Sequence, residues 1–356
     1  MVRGGIMVRG KIMVPGSIEQ HLPTRYGVHL LTALLLLVTV SAASGCTADS
    51  RDTEGTVIEK PGNREKLGVT NKKPGLDNGT RSTGNSQKVK VDGSKHSRYR
   101  VLLRRGGSGS PDKVLGFNNS LAAMMAARDG DVVKLKEGKY RGGLPVENGV
   151  TVLGSGNGTE LKPLNGSSFG FRISDADGAE VRNLSVEGFD RSGIKITGGS
   201  DVVIENVTVE NSSFGVEVRG AEGNWGVRNS VITGNSRGVY VYKTGSEWSL
   251  NRTLIYGNSK DGVDVFHNDG GWKVVGSVVR DNGNIGLNVD GSNKLNTAAV
   301  KYTDIYGNGG VDASVTGNAG NGVRFENVWW GKRGGPSRKM TRGYIRVIDP
   351  CSQPCS

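Results

Sequence analysis

A glycine followed by apolar, polar and apolar residues recurs along the second half of the chain. Successive glycines are 21 to 24 residues apart. Alternation with a period of two indicates short strands with one buried face. Because such short strands cannot bury their faces alone, a repeat of this length predicts a solenoid whose coils stack on a shared core. The phrase begins at Gly149, Gly170, Gly193, Gly215, Gly238, Gly262, Gly286 and Gly310.

A second apolar run and an asparagine complete each repeat. The run is Val202-Val203-Ile204 in one coil, and the asparagine stands just before the next glycine phrase. Asparagine tolerates left-handed backbone angles and bonds to its own turn, which suits the corner of a coil. Two or three strands per coil predict an all-β parallel β-helix of about nine or ten coils. The corner asparagines are Asn211, Asn235, Asn258, Asn282 and Asn308.

The composition agrees with a narrow shared core and indicates an anionic partner. Glycine accounts for 57 of the 356 residues, and the hydrophobic share of 35% is low for a compact globule. The net charge is +12, and its lysines and arginines are spread along the chain without a recognised nucleic-acid module. We therefore expect no nucleic-acid partner, and an acidic polysaccharide or an anionic cell envelope fits the charge better.

The N-terminal part of the chain predicts export and a tether. Residues 28–43 are apolar, so residues 1–45 predict a secretory signal, with a short membrane anchor as the alternative. The four residues that end at Cys46 resemble the cleavage box of prokaryotic lipoproteins, which implies a lipid anchor on Cys46 at the cell surface or in the periplasm; an ordinary signal is the alternative. Residues 46–99 predict a flexible tether because they offer little apolar area to bury.

The segments that flank the repeat carry a family resemblance. A short amphipathic helix is predicted at the entry, N-capped by Asn118 or Asn119, and the phrase Asn-Val-Trp-Trp-Gly from Asn327 marks the exit. With the repeat, these segments resemble the right-handed parallel β-helix proteins of the pectate-lyase-like superfamily over about residues 100–350. The resemblance implies a right-handed β-helix plugged by that helix, with residues 351–356 as a tail. It implies little about activity, because the fold hosts lyases, hydrolases, epimerases and adhesins.

The outward positions of the repeat form one face with an aromatic centre. The second and fourth residues after each glycine are expected to face solvent, about 4.8 Å apart on successive coils. Flat rings pack on the apolar faces of sugars, while polar groups bond hydroxyls or carboxylates. The alternative is a face whose aromatic and charged cross-strand pairs serve stability alone. The candidate substrate-binding residues are Glu217, Tyr240, Tyr242, Phe266, His267 and Asn288.

Four residues of this face are candidates for catalysis. Asp264 and Asp290 occupy offset outward positions on adjacent coils, about 8 Å apart between Cα atoms, and paired carboxylates are the acid and base of inverting glycosidases. The superfamily resemblance instead implies Lys195 or Arg219 as the base of a lyase, with Ca²⁺ as a cofactor in many members. The sequence lacks the motifs of alginate epimerases and polygalacturonases.

The predicted function is binding of an extracellular polysaccharide, with its cleavage or modification as a further option. The competing class is a non-catalytic cell-surface or adhesion scaffold. Either protein is expected to be a monomer.

The tryptophans and cysteines are predicted to have structural roles. Trp225, Trp248 and Trp272 each follow their glycine by ten residues, which favours a packed column near a corner over a ligand platform. Cys351 and Cys355 lie close together near the C-terminus of a chain expected to be exported, so we predict a local disulfide. The scarcity of histidine and cysteine argues against a soft-metal site.

Overall fold

The computed structural model describes residues 98–106, 113–164, 166–292, 297–317 and 322–356. The predicted signal segment, Cys46 and the tether up to residue 97 lie outside the described residues. Within the described part of the chain, no helix is long and apolar enough to cross a membrane.

Short strands make up nearly all of the regular structure in the described residues. The helix α1 covers Ser120–Ala126. The strands are β1 Val101–Arg104, β2 Val114–Phe117, β3 Val132–Leu135, β4 Gly138–Arg141, β5 Leu144–Val146, β6 Thr151–Leu153, β7 Thr159–Lys162, β8 Phe169–Ser174, β9 Glu180–Glu187, β10 Ser192–Thr197, β11 Val202–Glu210, β12 Phe214–Arg219, β13 Trp225–Arg228, β14 Val231–Thr233, β15 Arg237–Thr244, β16 Trp248–Asn251, β17 Leu254–Tyr256, β18 Val263–Asn268, β19 Trp272–Val275, β20 Val278–Arg280, β21 Leu287–Ser292, β22 Ala299–Tyr306, β23 Ala313–Gly317, β24 Val323–Trp329, β25 Thr341–Gly343 and β26 Ile345–Ile348.

These strands form two sheets that run along the stack of coils. The nine-stranded sheet has the order β5, β8, β10, β12, β15, β18, β21, β23 and β25, and the other sheet contains 17 strands. Paired residues lie one coil apart in the sequence, as Glu217 with Tyr240 and Tyr240 with Asp264. Apart from the antiparallel contacts of β1 with β2 and β3, the pairing is parallel. The predicted all-β parallel β-helix is confirmed, with nine coils represented in the nine-stranded sheet.

The helix α1 lies at the N-terminal end of the core. The Asn119 side-chain oxygen accepts a hydrogen bond from the Leu121 amide at 2.8 Å, so Asn119 is the N-cap. Ala123 and Met124 are buried against the first coil, while Met125 on the other side is exposed. The predicted capping helix is therefore confirmed.

A ladder of buried asparagines runs along one inner corner. The side-chain oxygen of Asn258 accepts hydrogen bonds from the backbone amide and Nδ2 of Asn235, at 3.0 and 3.1 Å. Asn258 donates in the same way to Asn282, and Asn282 donates to Asn308. Each coil thus satisfies the buried polar groups of its neighbour. The predicted column is confirmed for these four asparagines.

The prediction for Asn211 is wrong by one position. The ladder continues at Ser212, whose backbone amide donates to the Asn235 side-chain oxygen at 2.9 Å. Asn211 lies at the adjacent corner with a φ of 54°, and Gly234 follows it one coil later with a φ of 64°. Both residue types tolerate the left-handed region that this corner requires.

The first and last glycine phrases depart from the common register. Thr151, in the phrase that begins at Gly149, pairs with Val132 in the 17-stranded sheet, so β5 supplies the first strand of the nine-stranded sheet. In the phrase that begins at Gly310, Ser314 rather than Asp312 pairs with Asn288, because the interval from Asn288 to Ser314 is two residues longer than the one from Asp264 to Asn288. The repeat therefore keeps its predicted register only in its middle coils.

The tryptophans form the expected packed column. The rings of Trp225, Trp248 and Trp272 stack on consecutive coils, with centroid separations of 5.4 and 5.3 Å. Their exposed fractions are 4%, 3% and 1%. Rings this deeply buried pack with the core, which favours the packed column over a ligand platform.

The disulfide between Cys351 and Cys355 stays a prediction. The two cysteines are free thiols in the structure. The Cys355 thiol donates a hydrogen bond to the Asn327 carbonyl oxygen at 2.9 Å, and burial raises its pKa.

Candidate functional site

Eight side chains form one outward line along the nine-stranded sheet, which we call the central column. Strand pairing places them in register on successive coils, about 4.8 Å apart. Five of the eight are predicted site residues, so the expected alignment is confirmed for the middle coils. The column contains Arg172, Lys195, Glu217, Tyr240, Asp264, Asn288, Ser314 and Arg342.

A second line runs beside the central column. Arg219 pairs with Tyr242, Tyr242 with Phe266 and Phe266 with Asp290. The offset of one line from the other places Asp264 and Asp290 diagonally on adjacent coils, as predicted. The two lines together hold all the candidate residues of the face except His267, which follows Phe266 at a corner with a φ of 52°.

Glu217 is buried, so the expectation that it faces solvent is wrong. Its exposed fraction is 0%. The Ser192 hydroxyl donates to one carboxylate oxygen and Arg219 to the other, while Arg191 Nε lies 3.7 Å from the first. Burial raises the pKa of this carboxyl, but the hydrogen bonds and the two positive charges outweigh it and hold the pKa below its usual value. Glu217 is thus an ionised anchor for two guanidinium groups.

Asp264 is also buried rather than solvent-facing, with an exposed fraction of 2%. Arg237 Nε lies 2.8 Å from one carboxylate oxygen, and Asn288 Nδ2 donates to the other at 2.9 Å. Burial raises the pKa of Asp264, Asn288 opposes it, and the nearby charge of Asp261 adds to the increase. Outward direction and solvent exposure differ here because side chains from adjacent coils cover the carboxylate.

Asp290 and His267 have other partners. The Thr316 hydroxyl donates to Asp290, whereas Asp264 is held by Arg237, so the two aspartates belong to separate networks. The action of the two aspartates as an acid–base pair stays a prediction. The His267 side chain is exposed, with Nδ1 3.2 Å from the Gly291 carbonyl oxygen.

Cationic side chains lie over aromatic rings on this face. The Arg219 guanidinium is 5.0 Å from the Tyr240 ring centre and 5.2 Å from that of Tyr242, and the two tyrosine rings are stacked 6.2 Å apart. Lys195 Nζ is 5.0 Å from the Phe169 ring. Such contacts stabilise a cation beside a ring while leaving its charge available. We call this surface the cation–aromatic face; it comprises Phe169, Arg172, Arg191, Lys195, Phe214, Arg219, Arg237, Tyr240 and Tyr242.

Sequence alternation misses three members of this face that stand just before a glycine. Phe169, Phe214 and Arg237 occupy a position that alternation assigns to the core. Phe214 nevertheless meets the Tyr240 ring at 5.0 Å, and Arg237 lies 5.4 Å from the same ring. The glycine interrupts the alternation, so the preceding residue turns outward. Only three of the eight repeat glycines are preceded by an aromatic or cationic residue, so the sequence offers a weak signal for this position.

Lys195 has an altered acidity. Burial lowers the pKa of its ammonium group, the charge of Glu217 opposes this, and three neighbouring arginines lower it further. A lysine with a lowered pKa is more often neutral near pH 7 and is then able to accept a proton. Its predicted role as a base stays a prediction.

A metal site is not evident on this face. Among the described residues, no group of three or more His, Cys, Asp or Glu side chains is arranged to hold a metal ion. Calcium binding stays a prediction to be tested in solution.

The cation–aromatic face combines two kinds of contact. Its arginines present planar donors that match carboxylates, and its rings present flat apolar surfaces. Glu217 and Asp264 fix Arg219 and Arg237 from below and offset only part of the positive charge. The arrangement therefore suits a ligand that carries both negative charges and flat apolar surfaces.

Comparison with known proteins identifies the fold. Residues 169–328 match a family model described as a right handed beta helix region. No curated protein sequence matches the chain. The match and the observed strand pairing agree on a right-handed parallel β-helix fold.

Several solved structures are similar to the chain at low sequence identity. Pectate lyase Pel9A is 18% identical with a TM-score of 0.51, over 65% of this chain and 72% of that one. The A-module of Azotobacter vinelandii mannuronan C-5 epimerase AlgE4 is 15% identical with a TM-score of 0.37, over 65% of this chain and 88% of that one. The catalytic unit of an alpha-1,3-glucanase from Streptomyces thermodiastaticus is 16% identical with a TM-score of 0.31, over 66% of this chain and 65% of that one. The likeness to Pel9A, at 18% identity, establishes the fold alone.

Proposed function

We propose that the chain binds an acidic polysaccharide on the cation–aromatic face. The observation that carries the proposal is Arg219, which is anchored by buried Glu217 and lies over the rings of Tyr240 and Tyr242. A uronate residue offers a partner to each group, because its carboxylate suits a guanidinium and its C–H face suits a ring. The fold agrees with the proposal, since pectate lyase Pel9A is named for an acidic polysaccharide.

The proposed place of action is outside the cytoplasm. The apolar stretch at residues 28–43 and the phrase that ends at Cys46 support export followed by attachment to the cell envelope. The net charge of +12 supports an anionic partner there.

The test replaces Tyr240 and Tyr242 by alanine in the full chain and measures retention on immobilised polygalacturonate and alginate. We expect at least about a tenfold loss of affinity, equivalent to about 1.4 kcal/mol. Thermal unfolding should change little, because both rings are only half-buried on the outer face. Retention on neutral polysaccharides is measured in parallel and shows how much of the binding depends on the negative charge of the ligand.

The matched control is Tyr256→Ala with Tyr306→Ala. These tyrosines lie on either side of Arg280 in the 17-stranded sheet, and Arg280 lies 4.9 Å from the Tyr256 ring, so they reproduce a cation–aromatic group away from the candidate site. Equal retention by the two double variants would contradict the proposal and leave the non-catalytic scaffold as the better description. Unfolding of the Tyr240 and Tyr242 variant would mean that those rings serve stability.

A second candidate function is a lyase activity, favoured by the lowered pKa of Lys195. In this reaction a neutral lysine removes the proton beside the uronate carboxylate, and the leaving oxygen departs with formation of a double bond. The same binding assay, followed by absorbance of unsaturated products with and without Ca²⁺, tests it. Lys195→Met should abolish product formation, and retention without products in the unmodified chain would leave a binding protein.

A further inference from the structure

Six cations cluster on the last coil and in the loop that leads into it. We call them the basic cap, and all six side chains are exposed. No aspartate or glutamate occurs from residue 331 to residue 348. The members are Lys332, Arg333, Arg338, Lys339, Arg342 and Arg346.

The basic cap differs from the cationic residues of the coils. On the coils, arginines such as Arg182 and Arg228 are paired with Glu205, and Lys301 is paired with Glu326. Among the described residues, no carboxylate is paired with a member of the basic cap. Unpaired like charges repel one another, so this cluster does not stabilise the fold and is available to an external anion.

Protection of the sheet edges explains only part of the cluster. β25 and β26 pair with the preceding coil alone, and charged residues on such edges hinder pairing with another chain. Arg342 and Arg346 lie on these two strands. The other four cations precede the strands in the loop, where edge protection does not require them.

The basic cap is continuous with the candidate site. Arg342 is the last member of the central column, and Lys195 lies six coil steps before it. Six steps of about 4.8 Å amount to about 29 Å. Between Asp264 and Arg342 the column itself carries the neutral residues Asn288 and Ser314, while Asp290 lies in the neighbouring line and accepts a hydrogen bond from Thr316.

We propose that the basic cap is a second contact surface for an acidic polysaccharide, engaged by chains long enough to extend about 29 Å from Lys195 to Arg342 along the central column. The inference rests on the proposed function at the cation–aromatic face. Once one part of a polymer is bound there, its remaining charges are held close to the basic cap. The second contact is then intramolecular and strengthens binding without a second free ligand.

The experiment measures the affinity of the full chain for size-graded oligogalacturonates by calorimetry. One fraction is shorter than half of the 29 Å span, about 15 Å, and one exceeds the whole span. The cap variant carries Lys339→Gln, Arg342→Gln and Arg346→Gln. The control variant carries Lys134→Gln, Lys139→Gln and Lys273→Gln. These three lysines are exposed on the 17-stranded sheet, and their replacement removes the same number of positive charges as the cap variant does.

We expect the unmodified chain and the control variant to bind the long fraction at least about tenfold more tightly than the short one. The cap variant should lose this gain and keep the affinity for the short fraction. Equal affinity of the cap and control variants for the long fraction overturns the inference while the proposed function stands. Weaker binding of the short fraction by the cap variant also overturns it, because the cap would then act on the site itself.

Two further outcomes are decisive. If the unmodified chain binds neither fraction, the proposed function fails and the inference fails with it. If phosphatidylglycerol vesicles bind the unmodified chain and not the cap variant, while oligomer length has no effect, the basic cap is a membrane contact and the inference is overturned.

Discussion

Glu217 and Asp264 lie two coils apart on the central column, and their surroundings shift their pKa values in opposite directions. Glu217 receives two hydrogen bonds and lies near two guanidinium groups, which outweigh its burial. For Asp264, burial outweighs Asn288 and Arg237. The pH dependence of stability should therefore have opposite signs for the two carboxyls.

The first prediction at this scale concerns Glu217→Gln. Loss of the charged acceptor leaves Arg219 and Ser192 with weaker partners, at an expected cost of about 1–3 kcal/mol at pH 7. Because the folded pKa is lowered, the contribution of Glu217 is present above its unfolded pKa of about 4.3 and is lost as pH falls through the folded pKa. Urea unfolding at pH 7 and pH 3 measures the difference in free energy of unfolding between the unmodified chain and the variant. A difference as large at pH 3 as at pH 7 would contradict the prediction.

Asp264→Asn provides the opposite case. The folded pKa of Asp264 is raised, so the unmodified chain loses stability as pH rises from the unfolded value of about 3.9 through the folded pKa. The asparagine variant lacks this titration, and its stability relative to the unmodified chain should improve over that window. The same urea series measures it. A relative stability that falls with rising pH would show that the Arg237 pair outweighs burial.

At the scale of the element, the asparagine ladder joins coils that are distant in sequence. Asn258 is 1% exposed, accepts from Asn235 and donates to Asn282. Asn258→Ala should destabilise the chain by about 1–3 kcal/mol for each buried group left without a partner. Asn251→Ala, on the outer side of β16, should change stability by only about 0.5 kcal/mol. Chemical denaturation compares the two, and equal losses would mean that the ladder adds no stability.

The asparagine ladder can be predicted from the sequence except at Asn211. The sequence places an asparagine just before each of these glycine phrases. Four of the five predicted asparagines, Asn235, Asn258, Asn282 and Asn308, lie in the ladder. Asn211 has the right residue type one position too early, because a corner that needs a left-handed residue lies directly beside the ladder. Spacing alone does not distinguish two adjacent positions that both favour asparagine.

At the scale of the whole molecule, the β-helix is a stack in which each coil contacts its neighbours. The C-terminal tail is part of this stack. The Cys355 amide and the Ser356 hydroxyl donate to the Asp304 carboxylate at 2.9 and 2.7 Å, and Asp304 is 4% exposed. The tail therefore covers a buried carboxyl group on β22, two coils before the end of the stack.

Removal of residues 349–356 should loosen the end of the stack selectively. Asp304 would lose two donors, so amide hydrogen exchange should increase in β24 and β26, while β8 and β10 should keep their protection because coupling passes mainly between neighbouring coils. Exchange measured by mass spectrometry supplies the comparison within one molecule. A uniform increase along all coils would indicate that the chain unfolds as one cooperative unit.

The parallel β-helix, its coil length, its capping helix and its buried tryptophan column can all be predicted from the amino-acid sequence. These follow from periodicity, because a regular repeat places equivalent residues in equivalent surroundings. The burial of Glu217 and Asp264, and the place of Phe169, Phe214 and Arg237 on the outer face, become evident only from the packing of the coils. Alternation specifies the side of a strand on which a residue lies. Exposure depends on neighbours from other coils, such as Arg219 and Arg237, whose side-chain directions are set by packing.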